Sequence, residues 1–389
     1  MFGRFKPIIM IRLLLLSLTL FALSCKNPER HSRNCGLKAT DKTLIFPLDP
    51  NTKNFILALF PYTDKEGKEY LTFQNFSQNQ ILFYNMNTCQ LEFKVKPAYE
   101  GAEGVGKMLG YHVHNLDSIF INRSYRTELF IIDRSAKIID KIQFEKTTDS
   151  IPLHESHSTS ATYHPIEIVN NHLYLVSGCD RWSAENPVTA YINLSDKTVQ
   201  AFPNFRYPSY PGADNKAKRF GFEEYMSRCF DGEHFVYSFY FLENIQVASI
   251  DHQSIRDIPV KSKYIDKVQL LDDYGNLTAN DICENPNYGN LLFDSYRKVY
   301  YRIAYPKTEV DHNIRGMELM EYGRKNFSII ILDEDFNIIG ETLFPDYTYN
   351  STLMFIREDG LYISDSHYLN LNFSDDVLSF QKFELIEME

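Results

Sequence analysis

The sequence predicts an all-β fold: a β-propeller of four-stranded antiparallel blades, six by its repeats, with seven as the alternative. Three observations carry the prediction. The 389 residues include 26 Tyr and 29 Phe among many β-branched side chains, a composition that suits pleated, half-buried surfaces. No long segment shows a helical period. One unit also recurs, in which an apolar run meets Asp or Asn, then a short polar turn, then a second alternating run.

In chain order, residues 1–24 read as a signal peptide. Arg4, Lys6 and Arg12 give the positive start, Leu13 to Leu23 the apolar run, and Ser24 the small residue before Cys25. Arg12 interrupts the run, which falls short of the roughly 20 apolar residues needed to span a membrane. Cys25 is therefore read as the lipid-bearing residue and 25–42 as a flexible tether, with one propeller domain over 43–389. Thr43 to Leu48 is the first strand.

Copies of the recurring unit follow at Ile81–Asn85, Leu129–Asp133, Ala190–Asn193, Val247–Asp251 and Ile329–Asp333, with Tyr368–Asp375 as a degenerate sixth. Each marks the turn between the last two strands of a blade, where Asp or Asn bonds the turn's own backbone. A tighter hairpin precedes most of them, at Asn115-Leu116-Asp117, Asn170-Asn171-His172, Asp231-Gly232-Glu233 and Glu358-Asp359-Gly360. Thr43 to Leu48 would close a seventh blade if the sixth already holds four strands.

Charge and cysteines narrow the function classes. The formal net charge is −11, and removing the leader takes away only basic residues. An acidic body does not suit a nucleic-acid partner. After Cys25 come Cys35, Cys89, Cys179, Cys229 and Cys283, an odd number without a C-x-x-C, so buried free thiols are expected and zinc ribbons excluded.

Ala22-Leu23-Ser24-Cys25, the blade rhythm, Tyr300-Tyr301-Arg302-Ile303 and the stretch Glu100 to Lys107 with Asp117 to Ile121 together resemble TolB-like six-bladed propeller lipoproteins of Bacteroidota, many of them domains of unknown function. The chain has Ala102-Glu103 where that glycine motif usually has Pro-Asn. The resemblance implies the propeller, diacylglycerol on the Cys25 thiol, and a place in the cell envelope on the outer membrane, on a side left open. It implies no activity.

No catalytic signature, cofactor motif or metal motif emerges. Gly101-x4-Gly106-Lys107 lacks the helix and the Ser or Thr of a phosphate-binding loop. His154-Glu155-Ser156-His157 is one residue short of H-E-x-x-H. Aromatic clusters at Tyr207 to Gly212, Tyr305-Pro306 and Trp182 offer flat faces with polar tips.

Loop lengths point to one face. Turns between strands one and two and between three and four are short. The connections at the other end, residues 97–110, 146–165, 177–187, 203–228, 262–285 and 306–326, are long, and long loops on a rigid scaffold carry function. Arg123, Arg181 and Arg302 fall near the ends of second strands at that end, which predicts a basic mouth for a carboxylated or phosphorylated ligand. The candidate binding residues are these three with His112, His114, Gly104, Gly106 and Trp182. The leading reading is a non-catalytic binding lipoprotein that holds a glycan, peptide or protein on this face. The alternatives are a glycan hydrolase or lyase using the histidines as acid and base, and an assembly or signalling component of an envelope complex.

Overall fold

The computed structural model describes residues 34–123, 125–154, 160–178, 187–208, 225–268 and 278–388. Residues 1–24, read above as a signal peptide, and Cys25, Cys179, Arg181 and Trp182 lie outside them. Four antiparallel four-stranded sheets follow in order. The first is β2 (Leu59–Thr63), β3 (Glu69–Asn75), β4 (Gln80–Asn85) and β5 (Leu91–Val95). The second is β6 (Met108–Asn115), β7 (Ser118–Arg123), β8 (Glu128–Ile132) and β9 (Ile138–Gln143). The third is β10 (Glu167–Val169), β11 (His172–Val176), β12 (Thr189–Asn193) and β13 (Val199–Ala201). The fourth is β14 (Met226–Phe230), β15 (His234–Phe239), β16 (Asn244–Ser249) and β17 (Ile255–Pro259).

The remaining strands form one eight-stranded sheet. One half is β18 (Asn287–Asp294), β19 (Val299–Tyr305), β20 (Ser328–Leu332) and β21 (Ile338–Leu343); the other is β22 (Asn350–Arg357), β23 (Gly360–Ser364), β24 (Val377–Glu387) and β1 (Cys35–Pro47). A single parallel pairing, Cys35 with Gly340, joins the halves. The expected row of six or seven equal sheets is thus four separate ones and this double one.

The turn chemistry read from the sequence is present. Backbone N–H groups donate to the side chains of Asn85, Asp133, Asn193, Asp251 and Asp333 at 2.8–3.1 Å. The degenerate copy at Tyr368–Asp375 is different. It lies between β23 and β24, because the fourth strand of that half is β1, from the other end of the chain. β1 runs antiparallel to β24 from Cys35 to Pro47, so it completes a sheet rather than adding one. The tether expected through Lys42 accordingly ends at Asn34, because Cys35 and Leu37 are buried in the sheet.

Apolar side chains fill the seams between neighbouring sheets. Separate clusters seal the first sheet to the second, the second to the third and the third to the fourth. Others seal the fourth to β18–β21, the two halves of the double sheet to each other, and β1 with β22–β24 back onto the first sheet. Inner faces pair with neighbours in a closed sequence, which is the arrangement of a propeller. Cys35, Cys229 and Cys283 are buried and Cys89 half-buried, the last three as free thiols.

Two long connections contain helices too short for a periodicity reading: α1 (Ala279–Glu284), before β18, and α2 (Gly316–Tyr322), between β19 and β20. A capping box at Thr278 and Asp281 starts α1. Among the described residues no helix is long and apolar enough to cross a membrane.

Candidate functional site

The crossovers and the connections between second and third strands enclose a cavity of about 240 Å³. Its wall takes Phe55 to Leu57 from the run into β2, Thr162 to His164 from the run into β10, Tyr207 and Tyr225 from the run into β14, Tyr240 after β15, and Met320, Glu321 and Arg324 from α2 and the residues after it. Every one of these segments lies at the long-loop end. The volume is below the roughly 300–1,000 Å³ of sites that enclose drug-sized ligands, so it takes one ring or side chain rather than a whole large molecule.

The position of α2 is set by contact with α1. A Cβ on Gly316 would stand 2.3 Å from the Asn280 backbone nitrogen, so only glycine permits this approach. The Gly316 N–H then donates to Asn280 Oδ1 at 2.8 Å, and Cys283, Val310 and Leu319 pack beneath. Eight residues on, the guanidinium of Arg324 lies 4.7 Å from the Tyr305 ring centre and donates from Nη1 to the Ile282 carbonyl at 2.7 Å. That geometry adds a cation–π contact to a fixed hydrogen bond.

The tyrosines are held by their tips. Tyr240 donates to Asn290 Oδ1 at 2.8 Å, Tyr207 to the Ser177 carbonyl at 2.5 Å, and Tyr305 bonds Ser351 Oγ at 2.9 Å. Burial raises the Tyr240 hydroxyl well above its ordinary value and raises that of Tyr305, so both stay neutral and present ring faces. The amide nitrogen of Asn290 has no acceptor among the described residues, and Glu321 has no ion-pair partner among them. The cavity therefore combines aromatic faces, donors from Arg324 and Asn290, and an acceptor in Glu321.

Of the residues chosen from the sequence as the binding mouth, Arg123, Arg302, His112, His114, Gly104 and Gly106 do not line this cavity, and Arg181 and Trp182 lie outside the described residues. Arg302 is fully buried in the seam between the fourth sheet and β18–β21, over the Tyr288 ring at 3.7 Å. Its donors reach Ser238 Oγ and the carbonyls of Leu242, Glu243, Asn244 and Val260 at 2.6–3.3 Å. Arg123 pairs with Glu128 at 3.3 Å and covers Gly106, whose φ is +72° and where a Cβ would meet Arg123 Nε at 2.7 Å. Gly104 pairs in a bridge with Ala98. The glycine segment is packing around Arg123, and the basic mouth is not formed by Arg123 and Arg302. Arg302 points into the seam because backbone carbonyls there need donors.

His112 and His114 sit toward the far end of β6, beside the turn to β7, while the cavity lies at the other end. Burial pulls His112 down to about 4. His157 lies outside the described residues, and His164 does line the cavity, without an ion-pair partner among the described residues. Among the described residues no group of three metal-ligating side chains is found. Tyr207, Tyr305 and His164 were legible as candidates. Phe55, Asn290, Glu321 and Arg324 were not, since only the fold brings 55, 290 and 324 together.

Three buried histidines give an expected pH response. His164, His252 and His367 are each at most 4% exposed, and burial lowers them to about 3, 4 and 4 from an ordinary 6.5. His367 Nε2 donates to the Gly323 carbonyl at 2.9 Å and Nδ1 accepts from Leu369 N–H at 3.1 Å, which fixes the neutral form. Between pH 6.5 and 4 the unfolded chain binds more protons than the folded one, so stability falls as pH falls. Glu167 opposes this: burial raises it to about 7 from 4.5, and its contribution is fully present below 4.5 and lost as pH rises through 7. Three groups outweigh one. The urea midpoint is expected to be lower at pH 4.5 than at pH 7, with His367→Gln reducing the difference; an unchanged or higher midpoint at pH 4.5 contradicts the assignment.

A family model described as "Domain of unknown function (DUF4221)" matches residues 34–343. The crystal structure of a DUF4221 member from Bacteroides vulgatus is 24% identical, with a TM-score of 0.77, covering 92% of this chain and all of that one. A putative exported protein from Bacteroides fragilis is 10% identical, with a TM-score of 0.50, covering 91% of this chain and 96% of that one. No curated protein matches the chain. The match over most of its length, together with the shared propeller fold, shows that the chain belongs to the DUF4221 family.

Proposed function

We propose that this chain is a non-catalytic binding protein of the cell envelope that captures the end of its ligand in the long-loop cavity. The cavity carries the reading. It is enclosed by segments from several sheets, it is lined by aromatic and aliphatic side chains, and it holds a few polar groups of fixed orientation, which is the build of a small-ligand site. The double sheet counts as two blades joined by one pairing. Six seams in closed order support a six-bladed, TolB-like ring. The leader, the exported Bacteroides relative and the family's Bacteroides member support an extracytoplasmic lipoprotein of Bacteroidota, anchored through Cys25 to the outer membrane.

The test uses the full chain purified from membranes in detergent; as Cys25→Ser it is expected in the soluble fraction. Ligand-observed NMR with a library of monosaccharides and small aromatic acids is expected to give hits that vanish in Met320→Trp, which fills the cavity. Hits that persist in the variant overturn the assignment of the cavity.

A further inference from the structure

The cavity does not end where its first ring would. A second cavity, also of about 240 Å³, opens beside it, and Phe55 and Glu321 line both. Aromatic rings run across the junction. Phe76 lies 6.3 Å from Phe55, Phe55 lies 6.2 Å from Tyr322, and Tyr322 lies 5.8 Å from Tyr368. Lys107 sits over the outer face of Phe76 at 4.1 Å.

The chemistry of the two compartments selects a ligand class. The second is lined by Lys53, Asn75, Ser77 and Glu321 around Phe55, Phe76 and Tyr322, without an aliphatic side chain. This compartment thus offers ring faces and polar groups and no aliphatic pocket. Flat rings bordered by charged and hydroxyl groups suit a ligand with apolar faces and a polar rim. In the first cavity the donors of Arg324 and Asn290 are opposed by the carboxylate of Glu321. An anionic group needs donors alone and is repelled by Glu321, whereas a sugar hydroxyl both donates and accepts.

We infer that the two compartments are adjacent subsites for a linear oligosaccharide, one sugar ring in each, with Phe55 and Glu321 shared between them. The inference rests on the cavity being the ligand site and adds the ligand class, a minimum length and a direction across the face.

The experiment measures calorimetric affinity of the full chain in detergent for gluco-, xylo- and galacto-oligosaccharides of one to six units, with a random heptapeptide mixture as the comparison. For at least one series the affinity is expected to rise about tenfold from one unit to two or three, the size of one added stacking contact, and then to level off. Tyr322→Ala and Phe76→Ala are expected to bring the longer oligomers back to the affinity of the monosaccharide and to leave the monosaccharide unchanged. Arg324→Ala is expected to weaken every length. If Arg324→Ala weakens binding but Tyr322→Ala and Phe76→Ala do not, the second subsite is overturned and the cavity reading stands. If the reverse holds, the cavity reading falls. A chain that binds the peptides, or binds no member of any series, overturns the oligosaccharide class.

Discussion

Replacement of Arg302 by alanine is expected to lower the stability of the fold by about 3–5 kcal/mol and to leave ligand binding in the cavity intact. Among the described residues the guanidinium has no carboxylate partner. It is held by four carbonyls, a serine hydroxyl and a tyrosine ring, and burial pulls it down to about 10. Each charge-assisted bond is worth roughly 1.5–3 kcal/mol, and water entering the seam recovers part of the sum. Leu242, Glu243 and Asn244 form the approach to β16, so losing Arg302 frees a loop of the fourth sheet as well as a seam. A buried ion pair can often be replaced by apolar side chains at little cost, but Arg302→Met is expected to be nearly as destabilising as alanine, because the carbonyls it abandons cannot pair with one another. Arg302→Lys is expected to recover only a little, since one ammonium cannot span a site built for a planar fork. Urea midpoints measure all three. An unchanged midpoint for Arg302→Ala would return the residue to the list of ligand contacts.

Phe46→Ala is expected to cost about 3–5 kcal/mol. Phe46 is fully buried in β1, edge-on to Tyr84 at 5.7 Å and to Phe380 at 6.0 Å, and the Tyr84 hydroxyl donates to the Pro47 carbonyl at 2.8 Å. It therefore packs the N-terminal strand against both the C-terminal strands and the first sheet. The cavity left by the ring would weaken the one seam that joins the two ends of the chain. Ile45, its neighbour on the opposite face, is 51% exposed, and Ile45→Ala is expected to change stability by no more than about 0.5 kcal/mol. The comparison separates packing from strand propensity. Equal losses for the two would show that β1 contributes through its backbone pairing alone.

The turn residues made most of the propeller readable. Asp133, Asn193, Asp251 and Asp333 bond their own turns whatever surrounds them, so the rhythm they set is local and appears in the linear sequence. The loop lengths were readable for the same reason, and they identified the end at which the cavity lies. The N-terminal strand was harder. Cys35 to Lys42 is polar enough to pass for a tether, and only pairing with β24, more than 340 residues away, makes it a strand.

Side-chain direction separates what could be read from what could not. The positions of Arg123 and Arg302 near one end of the sheets followed from the sequence, but whether an arginine opens to solvent or turns into a seam depends on which carbonyls lie across it. Arg324 occupies the cavity because Gly316 lets α2 approach α1 to within contact of backbone atoms, a relation that no spacing encodes. The sequence by itself determined the all-β class, the repeating turn and the end that carries the long loops, because each rests on local chemistry. Tertiary structure alone decided that β1 completes the last sheet, that Arg302 serves the seam, and that Phe55, Asn290, Glu321 and Arg324 share a cavity, because those outcomes depend on contacts between residues far apart in the chain.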